Sequence, residues 1–164
     1  MNALTVATAQ YVPLLVPLAA ATIWFFLPRR DRFAMAAQAI ISLVVVLGLI
    51  QLAASLHTDP RPFVVNPSVQ ALFTHPPDNG FPSDHTALAA TVALLVMIYR
   101  KSLGAVLLAA SIVAGGARVA AHVHHVQDIV GGVVIAVVAV GLAVLIWQWA
   151  QPRLPRRLAK LVSV

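Results

Sequence analysis

Long apolar runs separated by short polar clusters make up most of this chain of 164 residues. A helix that crosses a membrane needs roughly 17–25 predominantly apolar residues. Five stretches meet or approach that length: about Tyr11 to Pro28, about Phe33 to Leu56, Thr86 to Tyr99, about Leu103 to Ala121 and about Gln127 to Ala150. The third is short as an apolar run and becomes adequate if its helix starts near Ser83. The pattern predicts an all-α fold, an integral membrane helical bundle of about five transmembrane helices forming one domain over residues 1–164. Apolar residues continue past Ala19-Ala20-Ala21, so the first run is read as an uncleaved span. Gly115-Gly116 and Gly131-Gly132 suit close helix contact, and equally suit flexible kinks.

Composition strengthens this reading. Hydrophobic residues are 60% of the chain and charged residues 10%, whereas a soluble domain is about a quarter charged. There is no cysteine, so neither disulfides nor thiolate chemistry is available. The net charge of +6 is distributed as a topology signal. Arg29, Arg30 and Arg32 follow the first run, Arg100 and Lys101 the third, and Arg153, Arg156, Arg157 and Lys160 the fifth. These three regions alternate onto one side, which the positive-inside rule makes cytoplasmic. The N-terminus is then outside and the C-terminus inside. The basic tail after Pro152 is expected against anionic inner-leaflet lipid, and no nucleic-acid partner is implied.

The exceptions to the charge pattern mark the candidate site. Arg61 and Arg118 fall on the outer side, with His57, His75, His85, His122, His124 and His125. Ionisable groups at membrane level are costly and usually functional. The outer stretch from His57 to Pro82 holds Pro60, Pro62, Pro67, Pro76, Pro77 and Pro82. These prolines are expected to exclude a regular helix, and Asp78-Asn79-Gly80 signals a turn. Long ordered loops in a small domain are often functional, although a passive connector is the alternative.

Three polar clusters carry the chemistry. In the last, His124 and Asp128 are spaced so that the carboxylate reaches one ring nitrogen and leaves the other free to attack. Arg118 shares no helix face with His124, so the chain must bend between them, with Arg118 closing the fourth helix. Its planar fork suits phosphate oxygens. In the middle cluster, Pro82-Ser83-Asp84 is a helix start whose free N–H groups favour an anion, and His85 sits in the first turn as a proton donor or acceptor. In the first, Pro60 and Pro62 bracket Arg61, the second guanidinium. Two arginines facing one anion fit phosphoryl transfer, where catalysis is mostly positioning and charge stabilisation. Each cluster alone has a plainer reading: a helix cap, an interfacial polar loop, or a metal site built from the histidines and Asp128.

Taken together, Arg61-Pro62, Pro82-Ser83-Asp84-His85 and Arg118-x5-His124-x3-Asp128 resemble the three-part signature of the type 2 phosphatidic acid phosphatase superfamily, written Lys-x6-Arg-Pro, Pro-Ser-Gly-His and Ser-Arg-x5-His-x3-Asp. Asp-Pro-Arg-Pro-Phe and Phe-Pro-Ser-Asp-His-Thr are most similar to its bacitracin-resistance type of undecaprenyl pyrophosphate phosphatase. The signature region spans residues 59–128. The resemblance implies that His124 is the nucleophile, Asp128 its orienting carboxylate and His85 the general acid and base. It implies Arg61, Ser83 and Arg118 as phosphate ligands, with Asp84 in the same loop, and it implies no metal and no cofactor.

Departures from the pattern are visible. Ala54 stands in place of the signature lysine, with His57 as a candidate substitute, and Ala117 replaces the serine before Arg118. Asp84 replaces a glycine and needs to be protonated, turned away or paired beside an anion. The expected activity is hydrolysis of undecaprenyl pyrophosphate to undecaprenyl phosphate and phosphate at the outer face, through a phosphohistidine. The alternatives are a phosphatidic acid or phosphatidylglycerophosphate phosphatase, a histidine-cluster metal-binding or transport protein, and an inactive scaffold. Substrate partners are thus isoprenoid or glycerolipid phosphates in the membrane. Oligomeric state is left open.

Overall fold

Among the described residues there are six α-helices: α1 Asn2–Phe25, α2 Arg29–Leu56, α3 Pro62–Val65, α4 Asp84–Tyr99, α5 Lys101–Ala120 and α6 Val126–Ala150. A 3-10 turn, Gln151–Arg153, follows. The computed structural model describes residues 2–155. Arg156, Arg157 and Lys160, and with them most of the basic tail, lie outside the described residues. Helices α1, α2, α5 and α6 are long and apolar enough to cross a membrane. Helix α4, with 16 residues, is about 24 Å long at 1.5 Å per residue, a little less than the hydrocarbon core of about 30 Å.

The shortest of the five long helices is the central one. Helix α4 packs against α1, α2, α5 and α6, and its buried face is mostly small: Ala87, Ala89, Ala90, Ala93, Thr86 and Thr91. Small side chains let four neighbours approach one helix closely. Larger apolar residues fill the space beyond the alanines. Leu95 and Val96 pack with Ala20, Met35 and Val140, and Val46, Ile50 and Ile135 close around Ala87. The outer surface of the bundle is apolar too. Leu14, Leu43, Val44, Val106, Val113, Val134 and Leu145 are all exposed, as expected where lipid is the solvent.

Two glycines explain how tightly α4 is held. A methyl group on Gly132 would lie 2.9 Å from the Ser83 carbonyl oxygen and 3.1 Å from the Ala87 nitrogen. One on Gly115 would lie 2.6 Å from Ile129 Cγ2 of α6 and 3.2 Å from Thr86 Oγ1 of α4. These two glycines therefore serve close packing, whereas Gly116 faces open space.

Two sequence expectations are corrected. Helix α1 begins at Asn2, well before Tyr11, and carries Pro13 and Pro17 inside it. Thr5, Thr8 and Gln10 interrupt the apolar run without interrupting the helix. The proline-rich loop between α2 and α4 also contains one helical turn, α3, because Pro62 occupies its first position, where a missing N–H costs nothing. Helix α4 begins at Asp84 with Ser83 as its cap residue, which matches the expected start.

The two ends of the bundle differ in chemistry. At one end, Trp24 Nε1 donates to the Arg32 carbonyl at 2.8 Å, and the Tyr99 hydroxyl donates to Gln38 Oε1 at 2.9 Å. The other end gathers the α2–α4 loop, the start of α4 and the α5–α6 turn. That end contains the polar clusters.

Candidate active site

The α5–α6 turn is built by one unusual backbone conformation. Helix α5 ends at Ala120, and His122 has φ +61°. This left-handed residue reverses the chain, and its Nδ1 lies 3.1 Å from the Gln70 carbonyl oxygen. The reversal is the bend required between Arg118 and His124. It leaves His124 in the short loop and Asp128 in the first turn of α6.

Asp128 is fully buried, and its Oδ2 lies 3.1 Å from His124 Nδ1. The same oxygen accepts the His125 backbone N–H at 2.8 Å. On the other side of the ring, Arg61 Nη1 lies 3.3 Å from His124 Nε2. A guanidinium has no lone pair to offer, so Nε2 must be the accepting nitrogen. The ring is thereby fixed as the neutral tautomer with its proton on Nδ1, donated to Asp128. Burial holds the His124 pKa below the usual 6.5, against the Asp128 hydrogen bond, and the charges of Arg118 and Arg61 lower it further.

Arg61 is only 5% exposed. Its Nη1 donates to the Val123 carbonyl at 2.6 Å, and its Nε donates to Asp78 Oδ1 at 2.7 Å. Burial opposes the Asp78 carboxylate, but the bond and charge of Arg61 outweigh that and hold its carboxyl below the usual range.

Arg118 is 2% exposed. Its Nη1 donates to the Ala9 carbonyl at 3.2 Å. That carbonyl is available for a reason written in the sequence. In a helix the Ala9 oxygen would accept from residue 13, and Pro13 has no N–H. The Arg118 Nη2 lies 3.2 Å from His75 Nε2. Its Nε is buried and unpartnered among the described residues.

Ser83 is fully buried. Its N–H donates to the Asp128 carbonyl at 3.0 Å, and its hydroxyl shares a 3.1 Å hydrogen bond with Thr86. The Ser83 N–H is therefore committed to α6 and not free for an anion; the free donors belong to the helix start that follows it. Asp84, the first helical residue, is exposed and enters no ion pair or hydrogen bond among the described residues. His85 is exposed as well and stands at the polar end of a groove of about 470 Å³ between α1, α2 and α4.

Other partners come from the α2–α4 loop, and of these only His57 was assigned a role from the sequence. Asn79 pins the loop back: its Oδ1 accepts from the Asp59 and Phe81 N–H groups, and its Nδ2 donates to the Ala54 and His57 carbonyls. The Asp-Asn-Gly turn signal was its trace in the sequence. Asp59 Oδ2 lies 2.8 Å from His125 Nδ1 and 2.6 Å from Gln127 Nε2, latching the loop to the start of α6. Asp59, His125 and Asp128 are near enough to share a cation; Asp59 Oδ2, His125 Nδ1 and Asp128 Oδ2 are already hydrogen-bonded, while Asp128 Oδ1 is buried without a partner among the described residues. His57 packs edge-on against Phe81, ring centroids 4.9 Å apart.

Fold and site together define a class: a membrane-spanning helical bundle with a buried histidine–aspartate pair flanked by two desolvated arginines. Residues 33–153 match the family model described as the PAP2 superfamily. The chain belongs to that superfamily, the type 2 phosphatidic acid phosphatases, and is a phosphatase, a hydrolase, of that family. It is 30% identical over 154 residues to the bacitracin transport permease protein BcrC of Bacillus licheniformis, covering 94% of this chain and 73% of that one. It is 30% identical over 83 residues to the undecaprenyl-diphosphatase BcrC of Bacillus subtilis strain 168, covering 51% of this chain and 42% of that one. The crystal structure of Aquifex aeolicus LpxE has a similar fold, with a TM-score of 0.65 at 21% identity over 87% of this chain and 84% of that one.

Proposed function

We propose that this protein hydrolyses a lipid pyrophosphate, undecaprenyl pyrophosphate, to the lipid monophosphate and inorganic phosphate at the outer membrane face, without a metal. The observation that carries the reading is the His124 ring. Its Nδ1 is tied to buried Asp128, and its Nε2 keeps a lone pair next to Arg61. That is the arrangement of an activated nitrogen nucleophile with its orienting carboxylate.

In the first step, His124 Nε2 attacks the terminal phosphorus in line. The P–N bond forms as the bond from that phosphorus to the bridging oxygen breaks, and the lipid monophosphate leaves. Arg61 and the free Nε of Arg118 meet the phosphoryl oxygens, with the α4 start and Ser83 on the same side. In the second step water attacks the phosphorus and the P–N bond breaks. His85 removes the proton from that water. A phosphate monoester is already a good leaving group, so His85 matters more in the second step than in the first. The groove running from His85 past Leu14, Leu43, Val46, Leu88 and Val92 supplies an apolar bed for the isoprenoid tail. The name of the Bacillus subtilis relative supports the pyrophosphate substrate.

The test is phosphate release by purified, detergent-solubilised protein in the presence of a chelator. Undecaprenyl pyrophosphate, phosphatidic acid and phosphatidylglycerophosphate are compared side by side. Fast turnover of the pyrophosphate alone is expected. Equal turnover of all three would remove the substrate assignment. Inactivity reversed by a divalent metal would move the chemistry to Asp59, His125 and Asp128, and inactivity throughout would overturn the reading.

A further inference from the structure

One imidazole over the site has no part in the mechanism above. His75 lies on the α2–α4 loop, and its ring stands edge-on to His124 with centroids 6.1 Å apart. Its Nε2 lies 3.2 Å from Arg118 Nη2 and its Nδ1 lies 3.3 Å from the Pro76 carbonyl oxygen. Arg118 can only donate and the carbonyl can only accept. His75 is therefore neutral in the free protein, with its proton on Nδ1 and its lone pair turned to the arginine. Three residues on, Asp78 holds Arg61 Nε in the same way. One short loop segment thus engages both arginines with groups that accept, as a phosphate oxygen would.

We propose that His75 is a further anion ligand of this site: when a tetrahedral dianion takes the Arg118 N–H, His75 Nε2 takes up a proton from solvent and donates it to the anion. The proposal rests on the phosphate-site reading above. It also supplies the cationic ligand that Ala54 does not. The ring's surroundings are consistent with this exchange, because burial first, and then Arg61, keep the His75 pKa below 6.5. A bound dianion reverses that balance and raises it. Binding of the anion is then linked to uptake of one proton. Affinity is full below the free-state pKa of His75 and declines as pH rises through its bound-state value.

Other charged groups also face the position. Arg118 comes from α5, Arg61 from the stretch before α3, His124 from the α5–α6 turn, and His85 and Asp84 from α4. Asp78 lies on the same loop as His75. All of them remain in a His75 variant, so the difference between variant and parent isolates His75.

The experiment is titration calorimetry of the solubilised protein with inorganic sulfate, which stays a dianion across the pH range used. It is run from mildly acidic to mildly alkaline pH in buffers of different ionisation enthalpy. For the parent protein, affinity should fall as pH rises, by up to about tenfold per pH unit for one linked proton, with proton uptake on binding. His75→Gln should weaken sulfate binding at acidic pH by about tenfold or more and remove one proton from the linkage. His75→Lys should keep the affinity and lose the pH dependence. A His75→Gln protein that is folded by thermal denaturation and binds sulfate with the parent's affinity and slope would overturn the proposal. Because sulfate binding does not depend on which lipid is hydrolysed, failure of the lipid assignment is separable. A parent protein that binds no sulfate would overturn the phosphate-site reading and this proposal with it.

Discussion

At the scale of single residues, the site is a set of exchanges between donors and acceptors. Asp128 fixes which nitrogen of His124 carries the proton. Asp128→Asn removes the charge that supports the ring and leaves the tautomer unspecified. It should lower kcat on the order of ten-thousand-fold, the size seen when other orienting carboxylates are neutralised, with little change in thermal stability; a steady-state assay beside a melting curve checks both. Pro13 acts on Arg118 through a carbonyl. By withholding an N–H it leaves the Ala9 oxygen to the guanidinium. Pro13→Ala returns an N–H to that oxygen, so Arg118 should lose its anchor. The expected result is a KM raised several-fold with a helix at least as stable as before; an unchanged KM would mean the anchor is dispensable. His124, Asp128, Arg61 and Arg118 were legible in the sequence because their spacing and charge stand out in an apolar chain. The Pro13–Arg118 link and His75 were not, since each depends on loop and helix contacts between distant parts of the chain.

At the scale of elements, α4 determines the geometry. It carries Ser83, Asp84 and His85 at one end, and its alanine face lets four helices surround it. Gly132 allows α6 to touch its backbone, where a side chain cannot yield. Gly132→Ala should destabilise the protein by about 1–3 kcal/mol through overpacking. Gly116→Ala, which meets nothing within 4 Å, should be neutral or stabilise by up to about 1 kcal/mol through helix propensity. Thermal denaturation in detergent distinguishes the two, and equal effects would contradict the packing account. Hydrophobic run length located all five long elements. It missed the start of α1, because Thr5, Thr8 and Gln10 end an apolar run without ending a helix. It missed α3 because proline signals a break in a helix interior but suits a first turn.

At the scale of the whole molecule, one end of the bundle holds the arginine–histidine site and the other holds the basic connections. We propose that the first faces outside and the second the cytoplasm, following the lysine and arginine bias. The chain has no cysteine, so introduced cysteines report cleanly. Ser68→Cys in the outer loop should react with an impermeant maleimide in intact cells, and Ser102→Cys at the start of α5 only after permeabilisation. The reverse pattern would invert the topology. The all-helical bundle and the gathering of Arg61, Arg118, His124 and Asp128 at one of its ends followed from composition and spacing. The groove between α1, α2 and α4 did not, because its walls come from parts of the chain far apart in sequence.

The central claim is that His124 becomes phosphorylated and His85 releases it. The most direct measurement is rapid-quench trapping of protein-bound phosphate, using undecaprenyl pyrophosphate labelled at its terminal phosphate. The parent protein should show a transient acid-labile adduct, His85→Ala should accumulate it, and His124→Ala should never form it. An adduct that persists in His124→Ala, or a His85→Ala protein that is slow yet builds up none, would contradict the account.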